Sequence, residues 1–417
     1  MHDAIVVGGG IAGLAAAWAL RDRDVVVLEA AERVGGRIRS EPRGELWLNF
    51  GAHVFAGAGS ATDLLLAQTG VGAAAVPGIL TAVSLRGRLV AGGHVESYPL
   101  RLPLAPRERV ALARTGLRLR RAVRRYARVP AAGVLAHLGE ETFSDWLGPV
   151  PEAVDAILRA TLRRSSGEPE QLAAGYGIGY FHLVWDRSGG LARNILGGPS
   201  TLTEAIAAAL RPRVRTATPV EAVIEEPGGV RVICAGEELR ARHAILATPA
   251  HVTRAIAAGL PAELDGALAQ VAYGRYVLAA FLVEDEAAAA WRGIYAIATP
   301  GRSFNMLFNM SNVLGRGASL MAYSGAALAD ALWALGDDEV RARYLADLRE
   351  VLPGVRVAET AVHRWEHGLP YVRPGRHALQ SILERTSGRV VLAGDYLGSR
   401  YTDTAIASGL SAAERVR

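Results

Sequence analysis

The chain has 417 residues, half of them apolar, with 46 basic and 41 acidic side chains and a formal net charge of +5. That length exceeds one ordinary core and predicts two domains, while so modest a charge, with no nucleic-acid motif beside it, speaks against a nucleic-acid partner. The single cysteine, Cys234, excludes internal disulfides and any cysteine-built metal site, so no metal is expected, and it fits a reducing compartment.

The first stretch organises the rest. Ala4–Val7 reads as a buried strand, Ile11, Leu14, Ala15 and Trp18 follow helical spacing, and Val25–Leu28 reads as a second buried strand. Between strand and helix stand Gly8, Gly10 and Gly13, a GxGxxG spacing. Strand, glycine turn, helix and strand make a dinucleotide-binding βαβ unit. Gly8 permits the sharp turn, Gly10 leaves room for a pyrophosphate, and Gly13 lets helix and sheet approach. The helix start at Ile11 and Ala12 offers N–H donors and partial positive charge to phosphates. Glu29, at the end of the second strand beside Ala30, can accept hydrogen bonds from a ribose diol and would repel a 2′-phosphate. Ala4–Leu20 is too short to span a bilayer, and Asp3 stands where a signal peptide has a basic flank. A soluble, cytoplasmic protein is expected.

Glu32-Arg33-Val34-Gly35-Gly36-Arg37 follows the second strand at once. This ExxxxGGR after a GxGxxG unit resembles the FAD-binding entry of the amine oxidase, protoporphyrinogen oxidase and carotenoid desaturase superfamily. The resemblance implies FAD, bound non-covalently, with Gly35 and Gly36 backing the pyrophosphate and Arg37 neutralising it. It implies a Rossmann-like α/β FAD domain with a parallel sheet, discontinuous over residues 1–75, 211–255 and 355–417. A substrate domain of antiparallel sheet and helices would occupy 76–210 and 256–354.

Further along, Leu46–Phe55 is similar to the family loop that reaches the flavin ring; Gly51 and Ala52 would bring backbone against it, and His53 would line it. Ala61–Gly72 reads as a helix ending on glycine, and Leu80–Tyr98 as short hairpins. Pro103–Pro130 carries nine arginines from Arg107 to Arg128. Leu112, Leu119, Val123 and Tyr126 would form one apolar helix face there. Such a helix could lie on an anionic membrane, but that face has no Trp or Phe to sink into lipid, which favours a solvated helix of the substrate domain. Glu152–Leu162 reads as a helix. Tyr176, Tyr180, Phe181, His182 and Trp185 cluster as core or as a cavity wall. Thr201–Glu204 reads as a capping box opening a helix through Leu210. The hairpin from Pro219 to Ile233 resembles the family element in which a valine, here Val220, pairs its backbone with adenine. Strands are expected at Val277–Val283 and Leu320–Tyr323 and a helix at Asp338–Val351. Arg389–Asp395 followed by Thr404–Gly409 is similar to the superfamily's second FAD fingerprint. By that resemblance Gly394 and Asp395 hold the ribityl or phosphate end. Thr404, Ala405 and Ile406 would bring helix-start N–H groups to the flavin pyrimidine.

All 46 basic residues are arginine. Many amine oxidases of this superfamily place a lysine near flavin N5, and this chain has none to place. That absence, with the looser Trp365…Pro370 match, leans toward a protoporphyrinogen oxidase-like member. The expected reaction is hydride transfer from a C–H of a ring-containing or apolar small molecule to flavin N5, with reoxidation by O2, in porphyrin or specialised metabolism. An amine or amino-acid oxidase lacking the lysine, or a non-catalytic flavin-binding module, stands as the alternative. Catalytic candidates are His53, Tyr180, His182 and Tyr371, with His367 and Tyr401 near the same cavity; each reads equally as a structural residue. A monomer or homodimer is expected.

Overall fold

A computed structural model of the chain describes residues 1–76, 81–185, 193–284, 290–385, 388–399 and 401–417. Leu80, the first residue of the expected hairpins, and the side chain of Tyr401 lie outside the described ones. The apolar run at the start becomes the centre of a sheet: His2–Val7 lies parallel to Val25–Leu28 on one side and to Glu237–Leu246 on the other. Glu237–Leu246 is long enough to change partners along its length. Its first half pairs antiparallel with Gly229–Cys234, and its last residues pair parallel with Val390–Leu392. With Val214–Arg215, Val220–Glu226 and Ala257–Ala258 this completes an eight-stranded mixed sheet. The helix Ile11–Ala19 covers one face, and Tyr401–Arg415 packs on that helix. The contact needs glycine at Gly409, where a Cβ would stand 2.1 Å from the Ala12 carbonyl oxygen.

The second sheet has seven strands, in the order Val357–Tyr371, Ala272–Val283, Ser319–Gly325, Met306–Asn309, Ala296–Ala298, Ala82–Leu85 and Arg88–Val90. Period-two alternation splits its faces. Val277, Ala279 and Phe281 pack under the helix Asp337–Val351 through Val340, Tyr344 and Leu348. Leu278 and Ala280 point the other way, into a cluster with Met306, Phe308, Tyr295 and Tyr323. Trp47, Leu48 and Phe50, which follow the glycine motifs in sequence, close that cluster. The second sheet thus turns one face toward the dinucleotide-binding unit.

Several sequence expectations change here. Val357–Tyr371 pairs along Ala272–Val283, so the chain does not return to the first sheet at 355 but at Val390–Leu392. It rejoins the first core earlier than 211, because Ser200–Ala209 packs through Leu202 and Ile206 with Leu14 and Ala15. The capping box at Thr201–Glu204 does not form. The helix is capped two residues sooner, at Pro199, and the Ser200 N–H donates to Ser40 Oγ (3.0 Å) while the Ser40 N–H donates to Ser200 Oγ (2.8 Å). The arginine-rich stretch is one helix, Pro106–Tyr126, whose Leu119 and Val123 are buried against Tyr176, Tyr180 and Phe143.

Candidate FAD and substrate site

The first glycine turn is shaped by backbone contacts. Gly8 has φ of 105°, and a Cβ on Gly13 would lie 2.0 Å from the Gly8 carbonyl oxygen. Both positions are closed to any side chain. Gly10 differs, since a Cβ there would meet nothing within 4 Å. Gly10 also caps the helix without a side-chain hydrogen bond, which leaves the first-turn N–H groups of Ile11 and Ala12 as donors for an anion. Gly35 N donates to Gly9 O at 2.8 Å, tying the second glycine pair to the first, and Gly36 takes φ of 55° beside Gly10. The Glu29 carboxylate is held by two N–H groups, Gly9 at 2.6 Å and Ala31 at 2.8 Å, with Ala30 exposed beside it.

Arg37 leaves this loop and meets Asp395, which follows Val390–Leu392, at 2.9 Å. The guanidinium also donates to Gly368 O at 3.3 Å and lies 5.9 Å from the Tyr273 ring centroid. His251 and His367 stack at 3.8 Å against the same tyrosine. His367 therefore belongs to the Arg37 side of the site. Gly394 N donates to Ser408 Oγ at 2.9 Å, fixing this loop to the last helix. Val220 is half-buried opposite Cys234, next to an irregularity in the hairpin register.

Geometry bears on two of the cofactor expectations. A Cβ on Gly51 would stand 2.0 Å from the Arg37 carbonyl oxygen, and Ala52 N donates to that oxygen at 3.1 Å. Gly51 and Ala52 thus shape the Arg37 loop. The last helix starts at Tyr401, three residues before Thr404. The N–H groups of Ala405 and Ile406 are then past the helix start, where carbonyls of the preceding turn accept, and Ile406 is fully buried in the core. The donors of the first turn belong to the residues just before them.

Space at Gly10, a helix start free of a side-chain cap, a carboxylate fixed at the end of the second strand and a guanidinium beside the second glycine pair together fit a bound FAD.

On the side of the second sheet lies a buried aromatic cluster. The Nδ1–H of His53 donates to Gly51 O at 3.2 Å, which leaves the lone pair on Nε2, and that atom is buried without a partner. Burial, aided by the Arg164 charge, pulls His53 down to about 4 against the pull of the Gly51 bond, so the ring is neutral. Its ring packs 4.6 Å from Phe308 and 6.3 Å from Tyr295. Asn194 donates to His53 O at 2.6 Å and to the Tyr295 hydroxyl at 3.1 Å. Arg164 lies 5.9 Å from the Tyr180 ring centroid, and its charge also reaches Tyr295 and Tyr323. Tyr180 shares a 3.2 Å hydroxyl contact with Tyr176, and Tyr371 belongs to the same core, its hydroxyl accepting from Arg373 at 3.1 Å. Arg164 thus stands by the Tyr180 ring, and its charge is also felt at His53. His182, half-buried at the start of His182–Trp185, joins none of these by a hydrogen bond or ring contact among the described residues. Arg164, Tyr295, Phe308 and Tyr323 were missed in the sequence. The alternation of Met306–Asn309 could have put Phe308 on the face of Met306, but nothing local joins it to His53.

A glycine-lined dinucleotide site beside a sheet with a buried aromatic cluster defines the class, an FAD-dependent oxidoreductase. A family model described as flavin containing amine oxidoreductase matches residues 11–417, and the chain belongs to that family. Among solved structures it is similar to putrescine oxidase, in a wild-type complex with putrescine (22% identity, TM-score 0.79), with 100% of this chain and 98% of that one covered. It is likewise similar to cyclohexylamine oxidase from Brevibacterium oxydans (20% identity, TM-score 0.82), with the same coverage. At those identities the likeness is one of fold. Within a family of enzymes the reading as a non-catalytic flavin module is set aside.

Proposed function

We propose that the protein removes a hydride from a C–H bond of a ring-containing or apolar small molecule held against the aromatic cluster, with O2 as the final oxidant. FAD, when bound, supplies the hydride acceptor at N5. The observation that carries this reading is the aromatic cluster itself: His53, Tyr295, Phe308 and Tyr323 pack together on one face of the second sheet and its closing loop. Flat aromatic surfaces orient a ring and exclude water from the reacting carbon. We assign His53 Nε2 as acceptor for a substrate O–H or N–H, Tyr180 as a wall of the substrate site, and Tyr371 as its support; His182 is the weakest of the four candidates.

A second reading is oxidation of an amine. It is favoured by the family and by the names of the putrescine and cyclohexylamine oxidases. It also fits His53, whose neutral imidazole could accept from an uncharged amine without a lysine nearby. Anaerobic titration of the purified holoprotein, following the flavin absorbance, separates the two. Bleaching by cyclic alkenes or porphyrinogens and none by amines supports the first reading. Bleaching by amines or amino acids alone overturns it in favour of the second.

A further inference from the structure

We propose that the outer face of the helix Pro106–Tyr126 docks the protein on an anionic lipid surface. Arg107, Val110, Arg114, Leu117, Arg121 and Arg124 recur at steps of three and four residues and so form one stripe along the helix. All six are exposed, Val110 at 50% and Leu117 at 53%. None of the four arginines has an ion-pair or side-chain hydrogen-bond partner among the described residues. Their neighbours Arg118 and Arg120 do, on the Leu147 carbonyl and on Glu96. The apolar face with Leu119 and Val123 lies in the core and is closed to lipid. That core fixes the helix as a ledge whose inner side rests on Tyr176 and Tyr180.

The composition of the stripe selects the occupant. A second copy of the same face would set guanidinium against guanidinium. A nucleic-acid backbone would satisfy the arginines but give nothing to Val110 and Leu117, nor to Leu100, which is 75% exposed on the preceding short helix Tyr98–Arg101. At an anionic bilayer the guanidinium groups sit among phosphates while the interleaved aliphatic side chains reach the acyl boundary. No helix of the described residues is long and apolar enough to cross a membrane, so the contact is peripheral.

The test is co-sedimentation of the full-length holoprotein with phosphatidylcholine vesicles, with and without phosphatidylglycerol, at low and high salt. Pelleting with the anionic vesicles only, reversed by salt, is expected. Arg114→Glu with Arg121→Glu should weaken it by at least about tenfold, and Leu117→Ser should weaken it as well. Arg349→Glu, an exposed arginine on another helix, should change it little. The variants lie on the surface, and unchanged flavin absorbance and melting temperature check that they fold. Failure to pellet at low salt overturns the proposal. So does an equal loss from Arg349→Glu, which would mean bulk charge alone. Insensitivity to Leu117→Ser together with displacement by duplex DNA also overturns it, since the stripe would then be a polyanion surface.

Discussion

Arg37 and Asp395, far apart in the chain, lie 2.9 Å apart where the second glycine loop meets the C-terminal strand, with side-chain exposures of 28% and 10%. The pair holds the two ends of the dinucleotide site together. Arg37→Gln leaves a mostly buried carboxylate unpaired, at a cost of about 3 kcal/mol or more, and should release flavin on dilution. Arg37→Lys should rescue this only in part, because an ammonium cannot both pair with Asp395 and reach Gly368 O as the guanidinium fork does. Fluorescence of released flavin measures both. Equal retention by Arg37→Gln and the parent would remove the pair from the cofactor site.

The glycines of the first turn should separate fold from cofactor. In Gly10→Val the new side chain starts in open space, so the melting temperature of flavin-free protein should stay near that of the parent while flavin affinity falls by about tenfold or more, since the space for phosphate is filled. Gly13→Ala forces a Cβ to 2.0 Å from Gly8 O and should destabilise the flavin-free protein by several kcal/mol. Thermal melts with and without added FAD distinguish them. Similar melts for the two variants would contradict the geometry.

His53 and His363 are both pulled down to about 4, chiefly by burial. A histidine whose folded value lies below its ordinary 6.5 binds fewer protons folded than unfolded between those two values. Stability should therefore be full above about pH 6.5 and fall as pH drops toward 4, by up to about 3 kcal/mol for each ring. Denaturant midpoints of His53→Gln across this range should slope less steeply than those of the parent. An unchanged slope would place the proton uptake elsewhere.

Phe308 is buried between His53 and the Tyr323 ring, which stacks on it at 5.7 Å. Phe308→Ala should cost about 3–5 kcal/mol of stability and raise KM for any substrate that bleaches the flavin. Tyr180→Phe keeps the ring, should stay within about 1 kcal/mol of the parent, and should alter KM more than kcat if Tyr180 is a wall of the substrate site. A fall in kcat with KM unchanged would instead make its hydroxyl part of the chemistry.

The dinucleotide motif was legible because its constraints are local. Gly8, Gly13 and Glu29 are dictated by a turn and by contacts within the first few elements. The aromatic cluster was not, since Arg164, Tyr295, Phe308 and Tyr323 meet His53 only after strands distant in sequence have paired. The helix at Ser200 kept its place but not its cap, because Ser40 supplied the reciprocal bonds that Thr201 and Glu204 would have made. The arginine-rich helix was legible too, and its apolar period of Leu112, Leu119, Val123 and Tyr126 marks the face that the core takes. The start of the last helix differed: Asp403 accepts from Thr62 N and Oγ1, both at 2.9 Å, and a contact to so remote a residue anchors a first turn that local spacing put later.

The central position of His2–Val7 bears on how the chain is made. A ribosome delivers this strand and the helix Ile11–Ala19 well before Glu237–Leu246, which flanks the strand, and Tyr401–Arg415, which covers the helix. Until then the nucleotide-binding unit is an open apolar half-sandwich, and it can close only once both of those elements have been made. Such long-range closure folds slowly, and nascent chains of this protein should depend on holding chaperones until Tyr401–Arg415 emerges.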